Sequence, residues 1–289
     1  MNLPNIYANT PIALVPAKSV AQFPVNTFLE NLEIASDGSI FITNHEVGKV
    51  VKLGINGELS IYAKLEGKVT GIALISEDRL IVNGWDSEGI PFVAILQDGS
   101  LESFQTIPDG MFPNGITRLD SNTFLMADSY RGVIWSVDVE KLSVEIWLEH
   151  PLLARDDSSS SFPAVNGLKI FDHVLYASNT QRMLMLRIPL NTNLQPLEPE
   201  IYLENTNIDD FAFDLEGNLY GATHVYNSVI RIDKNKQTTI IAHVTGCTAV
   251  AFYGMGLYVV NNGGMFLPPE TGVEPSQLVR LEVGVKGVS

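Results

Sequence analysis

One short pattern returns six times in this chain of 289 residues, and it leaves few folds open. The copies begin Leu29-Glu30-Asn31-Leu32, Val69-Thr70-Gly71-Ile72, Pro113-Asn114-Gly115-Ile116, Val165-Asn166-Gly167-Leu168, Ile208-Asp209-Asp210-Phe211 and Cys247-Thr248-Ala249-Val250. The second residue of each copy falls at 30, 70, 114, 166, 209 and 248, so the spacings are 40, 44, 52, 43 and 39 residues. A period of about 40–50 residues with four short strands per unit is the signature of a propeller blade.

The first copy shows all four strands. Apolar runs at 32–35, 40–43, 49–53 and 59–63 are separated by the hairpin signals Asp37-Gly38 and Asn56-Gly57. The second strand of each copy ends on a polar residue: Asn44, Asn83, Asp128, Asn179, Thr223 and Asn261. No segment holds a 3.6-residue apolar period for the length of a helix. The last copy runs out after its third strand, near 277–283, while residues 19–23 form an orphan strand ahead of the first copy. The predicted fold is therefore all-β: a single six-bladed β-propeller over 1–289, with four-stranded blades. Residues 1–29 supply the lead-in and a strand that closes the last blade and removes an exposed sheet edge.

The net charge of −15 argues against nucleic-acid or anionic-membrane partners, which call for basic patches. The single cysteine, Cys247, excludes an intramolecular disulfide. The first residues lack the basic and apolar regions of a signal peptide, and no apolar run reaches the length of a membrane span. A cytoplasmic location is the expectation. The oligomeric state is left open.

Strand order then places the candidate site. First strands are innermost in a propeller, so residues 30, 70, 114, 166, 209 and 248 should ring one mouth of the axial channel. Glu30, Asn114, Asn166 and Asp209 are hard oxygen donors, with Thr70 and Thr248 completing the ring. Such a set suits Ca²⁺, Mg²⁺ or Mn²⁺ and is a poor match to Zn²⁺. Taken singly, Asn114-Gly115 and Asn166-Gly167 also read as turn dipeptides. Their shared repeat phase favours a metal or ligand site.

These residues resemble the senescence marker protein (regucalcin)/gluconolactonase family of six-bladed propellers, across essentially the whole chain. Leu29-Glu30-Asn31 is similar to that family's first-blade Pro-Glu-Gly. Val165-Asn166-Gly167-Leu168 resembles its fourth-blade Asn-Gly-Leu, and Ile208-Asp209-Asp210 its fifth-blade Pro-Asp-Gly. The resemblance implies a divalent cation, Ca²⁺ foremost, held by Glu30, Asn166 and Asp209. It implies that Asn114 orients a water or the substrate. Phe112 stands where some sugar-lactonase members carry an Arg, and Asp210 replaces a Gly. A substrate more apolar than a sugar acid lactone is implied. Strictosidine-synthase-like propellers share the fold but use a different site.

Further candidates come from the loops on the same face. Trp85, Tyr130 and Arg131 join Phe112 and Thr70 as substrate contacts, with His224, Tyr226, Thr248 and Phe266 opposite. His224 is a possible general acid or base. Asp209 or Asp210 is the expected proton acceptor, and Asn114 the third catalytic residue. Two long loops, 150–164 and 263–276, are long enough to cover the mouth, the second with Met265, Phe266 and Leu267. Three functions remain open at this stage. The first is a metal-dependent lactone or ester hydrolase acting on a partly apolar small molecule. The second is a non-hydrolytic tailoring enzyme such as a cyclase or pericyclase, and the third a binding propeller with a structural ion.

Overall fold

The computed structural model describes residues 3–288. Six four-stranded antiparallel sheets stand in a ring, five of them with their strands in chain order from the axis outward and the sixth with an amino-terminal strand at its outer edge. The inner strands are β2 (Leu29–Ile34), β6 (Lys68–Ser76), β10 (Pro113–Arg118), β14 (Val165–Phe171), β18 (Phe211–Phe213) and β22 (Cys247–Tyr253). Neighbouring inner strands touch all the way round, β22 against β2 included. Apolar clusters lie between successive blades: Phe41, Ile72, Leu80 and Phe92 bridge the first two, for example.

The closing strand is β1 (Ala17–Val25), which pairs antiparallel with β24 (Pro275–Glu282) at the outer edge of blade six. Blade five gains an edge addition that sequence patterning did not suggest. Residues 11–15 run along β21 (Thr238–His243), where Ala13 and Val15 donate to Ile240 O and Ile241 O. This carries the amino-terminal segment to the top of the ring.

Each ring residue owes its position to a local irregularity. The register of β2 slips by one between Leu29 and Leu32, and the same slip recurs in β6, β10, β14 and β22. A bulge of one residue re-aims a side chain without ending the strand, and here it falls on Glu30, Thr70, Asn114, Asn166 and Thr248. Asp209 lies two residues before β18, with its amide bonded to Ala222 O.

A belt of hydrogen bonds ties the bulges of successive blades together. Thr43 donates to Thr70 O at 2.8 Å, Asn83 to Asn114 O at 2.6 Å, Ser129 to Val165 O, and Ser178 to Asp209 O at 3.0 Å. The Asp210 amide then reaches Thr248 O at 3.2 Å, and the Thr248 hydroxyl returns to Leu29 O at 2.8 Å, closing the circle. The glycines of the repeat follow from this approach. A Cβ on Gly115 would stand 2.6 Å from Asn166 O, and one on Gly167 2.7 Å from Asp209 O. The Asn-Gly dipeptides are thus close-approach points, not turns.

Gly115→Ala should accordingly destabilise the fold by about 1–3 kcal/mol, because backbone must shift to admit one methyl. Denaturant unfolding checks this; a midpoint equal to that of the parent chain would remove close approach as the reason for the glycine.

Candidate functional site

The bulges bring Glu30, Thr70, Asn114 and Asn166, and the segment ahead of β18 brings Asp209, to the floor of one cavity of about 360 Å³ at the mouth of the axial channel. Its walls are apolar and aromatic, formed by Phe28, Phe112, Tyr130, Phe266 and Leu267. Phe28 packs against Phe266 at 5.4 Å and against His45 at 5.0 Å. Both long loops reach the cavity as expected: Ser161, Phe162 and Pro163 from the first, Phe266 and Leu267 from the second. The first is pinned by Tyr130, whose hydroxyl donates to Ser161 O at 2.9 Å.

The floor is an array of acceptors. Asn166 Nδ2 donates to Thr180 Oγ1 at 3.1 Å and to Asp209 Oδ1 at 2.5 Å, while the Thr180 hydroxyl itself donates to Ile208 O. Asn114 Nδ2 donates to Ser129 Oγ at 3.2 Å, whose own proton goes to Val165 O. Both amides are thereby oriented, which leaves their Oδ1 atoms as free acceptors. Glu30 keeps contact with the cavity, yet its Oε2 is sealed from solvent and has no hydrogen-bond partner among the described residues. Burial pushes the Glu30 carboxyl well above the usual range, and the charges of Asp209 and Asp210 push it further. An unpaired buried carboxylate facing other carboxylates is costly unless a cation joins it. The set of Glu30, Asn166, Asp209 and Asn114 therefore fits a hard divalent cation. No three His, Cys, Asp or Glu side chains are grouped closely enough to hold a metal among the described residues, so amide oxygens are essential to that set.

His224 stands behind Asp209. Its Nδ1 lies 3.0 Å from Asp209 Oδ2, and its Nε2 lies 2.8 Å from Asn262 Nδ2. Asn262 Oδ1 accepts the amides of Gly264 and Met265, so its Nδ2 must donate to Nε2. The imidazole proton then sits on Nδ1 and points at Asp209. Both ring nitrogens are engaged, so His224 orients Asp209 and does not stand free as an acid or base.

Several expected contacts lie elsewhere. Asp210 points below the floor, where Lys169 Nζ holds its two oxygens at 3.0 and 3.1 Å. The Thr248 hydroxyl is consumed by the inter-blade belt. Trp85 sits behind Phe112 at 4.7 Å, with its indole N–H on Met111 O. Arg131 turns to Asp109 O and lies over Trp135. Tyr226 donates to Pro4 O and packs on Tyr7 at 5.1 Å. None of these five lines the cavity. Sequence reasoning missed Leu3, Phe28, Thr180, Asn207 and Asn262. A trace of the last was visible in Asn261-Asn262-Gly263-Gly264, a run built for a tight turn.

One tier lower, Glu33 lies within electrostatic reach of Lys169 and Asp210. Burial raises its carboxyl from 4.5 to about 7, against the pull of Lys169.

No protein-family model matches the chain, and no curated protein matches it by sequence. Solved structures do match its fold. A luciferin-regenerating enzyme superposes with a TM-score of 0.74 at 16% identity, over 95% of this chain and 98% of that one. A calcium-binding regucalcin from Agrobacterium tumefaciens gives 0.72 at 14%, over 96% and 97%. A gluconolactonase from Xanthomonas campestris gives 0.67 at 11%, over 96% and 91%. By fold, then, the protein is a six-bladed propeller, the architecture it shares with these structures.

Because Glu33 is a carboxyl with a raised folded-state pKa, the folded chain holds a proton that the unfolded chain has already released. Its contribution is complete below about pH 4.5 and lost as pH rises through about 7. Glu33→Gln should flatten the fall in stability between pH 5 and pH 8 by about 1–2 kcal/mol, allowing for water in the channel. Guanidinium unfolding at the two pH values checks this.

Proposed function

We propose that the protein is a divalent-cation-dependent hydrolase that opens a lactone or related cyclic ester with an apolar body. The observation that carries this reading is the unpaired, buried Oε2 of Glu30 beside Asn166 and Asp209 at the floor of an aromatic-walled cavity. The fold's likeness to a gluconolactonase and to a calcium-binding regucalcin supports it.

Glu30, Asn166 and Asp209 would hold the cation, with Ca²⁺ the first candidate and Mg²⁺ or Mn²⁺ the others. When bound, such an ion supplies polarisation of the ester carbonyl and a more acidic water. The chain's own residues do the rest. Asn114, its Nδ2 committed to Ser129, offers Oδ1 to orient the attacking water. Asp209 accepts the proton of that water, with Asn166 and His224 fixing its carboxylate plane. Phe28, Phe112 and Phe266 exclude solvent and seat the apolar body of the substrate. Phe112 also replaces the guanidinium that a sugar acid would call for.

The same apolar walls favour a second reading, in which the cavity orients a natural product for cyclisation without hydrolysis. A panel of lactones from gluconolactone to dihydrocoumarin and medium-chain δ-lactones separates the two. Hydrolysis of the apolar members is expected, falling at least about 100-fold with EDTA, in Asp209→Ala and in Glu30→Ala. Turnover untouched by both chelation and Asp209→Ala would falsify the hydrolase.

Calcium should also raise the melting temperature of the parent chain, since a ligand that binds only the folded state stabilises it by mass action. Glu30→Ala should abolish that rise. A calcium-induced shift of equal size in Glu30→Ala would place the ion elsewhere.

A further inference from the structure

One residue of the floor differs from the rest in what its side chain has to offer. Thr70 is buried and lines the cavity. Its strand, β6, packs between β2 and β10, so Thr70 takes the place in the ring between Glu30 and Asn114.

The other hydroxyls around the floor give their protons to backbone carbonyls. Thr43 donates to Thr70 O, Ser129 to Val165 O, Ser178 to Asp209 O, Thr180 to Ile208 O and Thr248 to Leu29 O. Tyr130, on the wall, donates to Ser161 O. The Thr70 hydroxyl has no such carbonyl among the described residues. Its one hydrogen-bonding neighbour there is His45 Nδ1, at 3.5 Å. His45 lines the same cavity, so the contact lies on the cavity wall.

His45 cannot take the Thr70 proton. Its Nδ1 stands 2.8 Å from Val69 O. A carbonyl oxygen only accepts, so the imidazole carries a hydrogen on Nδ1, whether the ring is neutral or charged. Phe28 at 5.0 Å and Trp85 at 5.8 Å hold the ring in place. Nδ1–H lends the Thr70 oxygen a weak second contact at most. The hydroxyl proton is left without an acceptor, a state that buried donors in folded proteins rarely keep. Around it the floor offers oxygens that call for a cation or a donor. Thr70 calls for the opposite, an acceptor that arrives with the ligand.

We infer that the Thr70 hydroxyl is the carbonyl-binding donor of this cavity: it hydrogen-bonds the carbonyl oxygen of the ligand and, in the proposed hydrolysis, the oxyanion that forms there. As the water oxygen bonds to the carbonyl carbon, the π pair of the C=O moves onto its oxygen, and the water proton goes to Asp209. Thr70 transfers no proton; its hydrogen bond strengthens as charge builds on that oxygen. The inference rests on the small-molecule reading of the cavity under the proposed function, and carbonyl binding stands without hydrolysis.

The test has two arms. 2-Tetralone has the shape of dihydrocoumarin but is a ketone that water cannot open, and tetralin lacks its carbonyl. Binding of both to the full chain in EDTA is followed by calorimetry, and the bound C=O stretch by isotope-edited infrared difference spectroscopy. Thr70→Val keeps the side-chain shape and removes the donor. It should raise the frequency of the bound stretch and cut the preference for 2-tetralone over tetralin at least about fivefold. With dihydrocoumarin in calcium, kcat should fall at least about tenfold in Thr70→Val while KM moves less than about threefold, and Thr70→Ser should recover most of that loss. A bound stretch identical in the parent chain and Thr70→Val overturns the inference. So does an equal loss of kcat in Thr70→Val and Thr70→Ser, which marks packing. Unchanged kcat in Thr70→Val removes the oxyanion role. Loss of the calcium-induced rise in melting temperature in Thr70→Val makes Thr70 a cation ligand and overturns the inference too. Failure of 2-tetralone to bind the parent chain sinks it together with the small-molecule reading. A Thr70-dependent stretch with no turnover of any lactone sinks the hydrolase alone. Should Thr70→Val fail to fold, Thr70→Ala is read in its place.

Discussion

The site depends on hydrogen bonds that run sideways from blade to blade. Within a blade, backbone ladders hold four strands together whatever the neighbouring blade does. What sets one blade's ring residue against the next is the belt that starts at Thr43 and returns from Thr248 to Leu29. Its links end on or beside the backbone of the residues whose side chains form the floor, Asn114, Asn166 and Asp209 among them. Structure and chemistry thus use opposite ends of the same residues. The carbonyl is spent on the neighbouring blade and the side chain is left for the cavity. That economy explains why the ring tolerates an unpaired Glu30: its backbone is pinned by packing that the carboxyl's repulsion cannot relax.

Much of this was legible in the sequence because the propeller repeats itself. Six copies in one phase announced the architecture, and the orphan strand at 19–23 announced how the ring closes. The phase also picked Glu30, Asn114, Asn166 and Asp209, which the structure gathers at one floor. The repeat was silent wherever a residue acts through a partner far along the chain. Tyr7 and Asn207 are 200 residues apart, and neither carries a repeat-phase mark. Asp210 misled by proximity to Asp209: adjacent residues in an extended chain face opposite ways, and Lys169 had already claimed it. Thr248 had the right phase and the wrong partner, since a hydroxyl within reach of a carbonyl is drawn into the belt. The glycines read as turn residues only when each dipeptide is taken singly, and the constraint on them belongs to the next blade.

The cavity joins two chemistries that seldom share a wall. Below lies a floor made mainly of acceptors, and above it aromatic rings that do neither. A sugar would leave most of its hydroxyls against those rings, unpaired. His224, locked between Asp209 and Asn262, couples the two regions: the loop that carries Phe266 and Leu267 is bonded through Asn262 to the imidazole that steadies the floor.

The pairing of β1 with β24 also has a bearing on how the molecule comes into being. The strand that seals the ring precedes all six repeats in the chain, and its partner follows the inner strands of all six. Blades one to five can each zip up during synthesis, but the sixth must wait for residues 275–282. Until then the nascent protein is an open arc with two raw edges, and its floor has no circle to sit on. Such long-range closure is slow, and it makes the pairing of β1 with β24 the step that completes the ring.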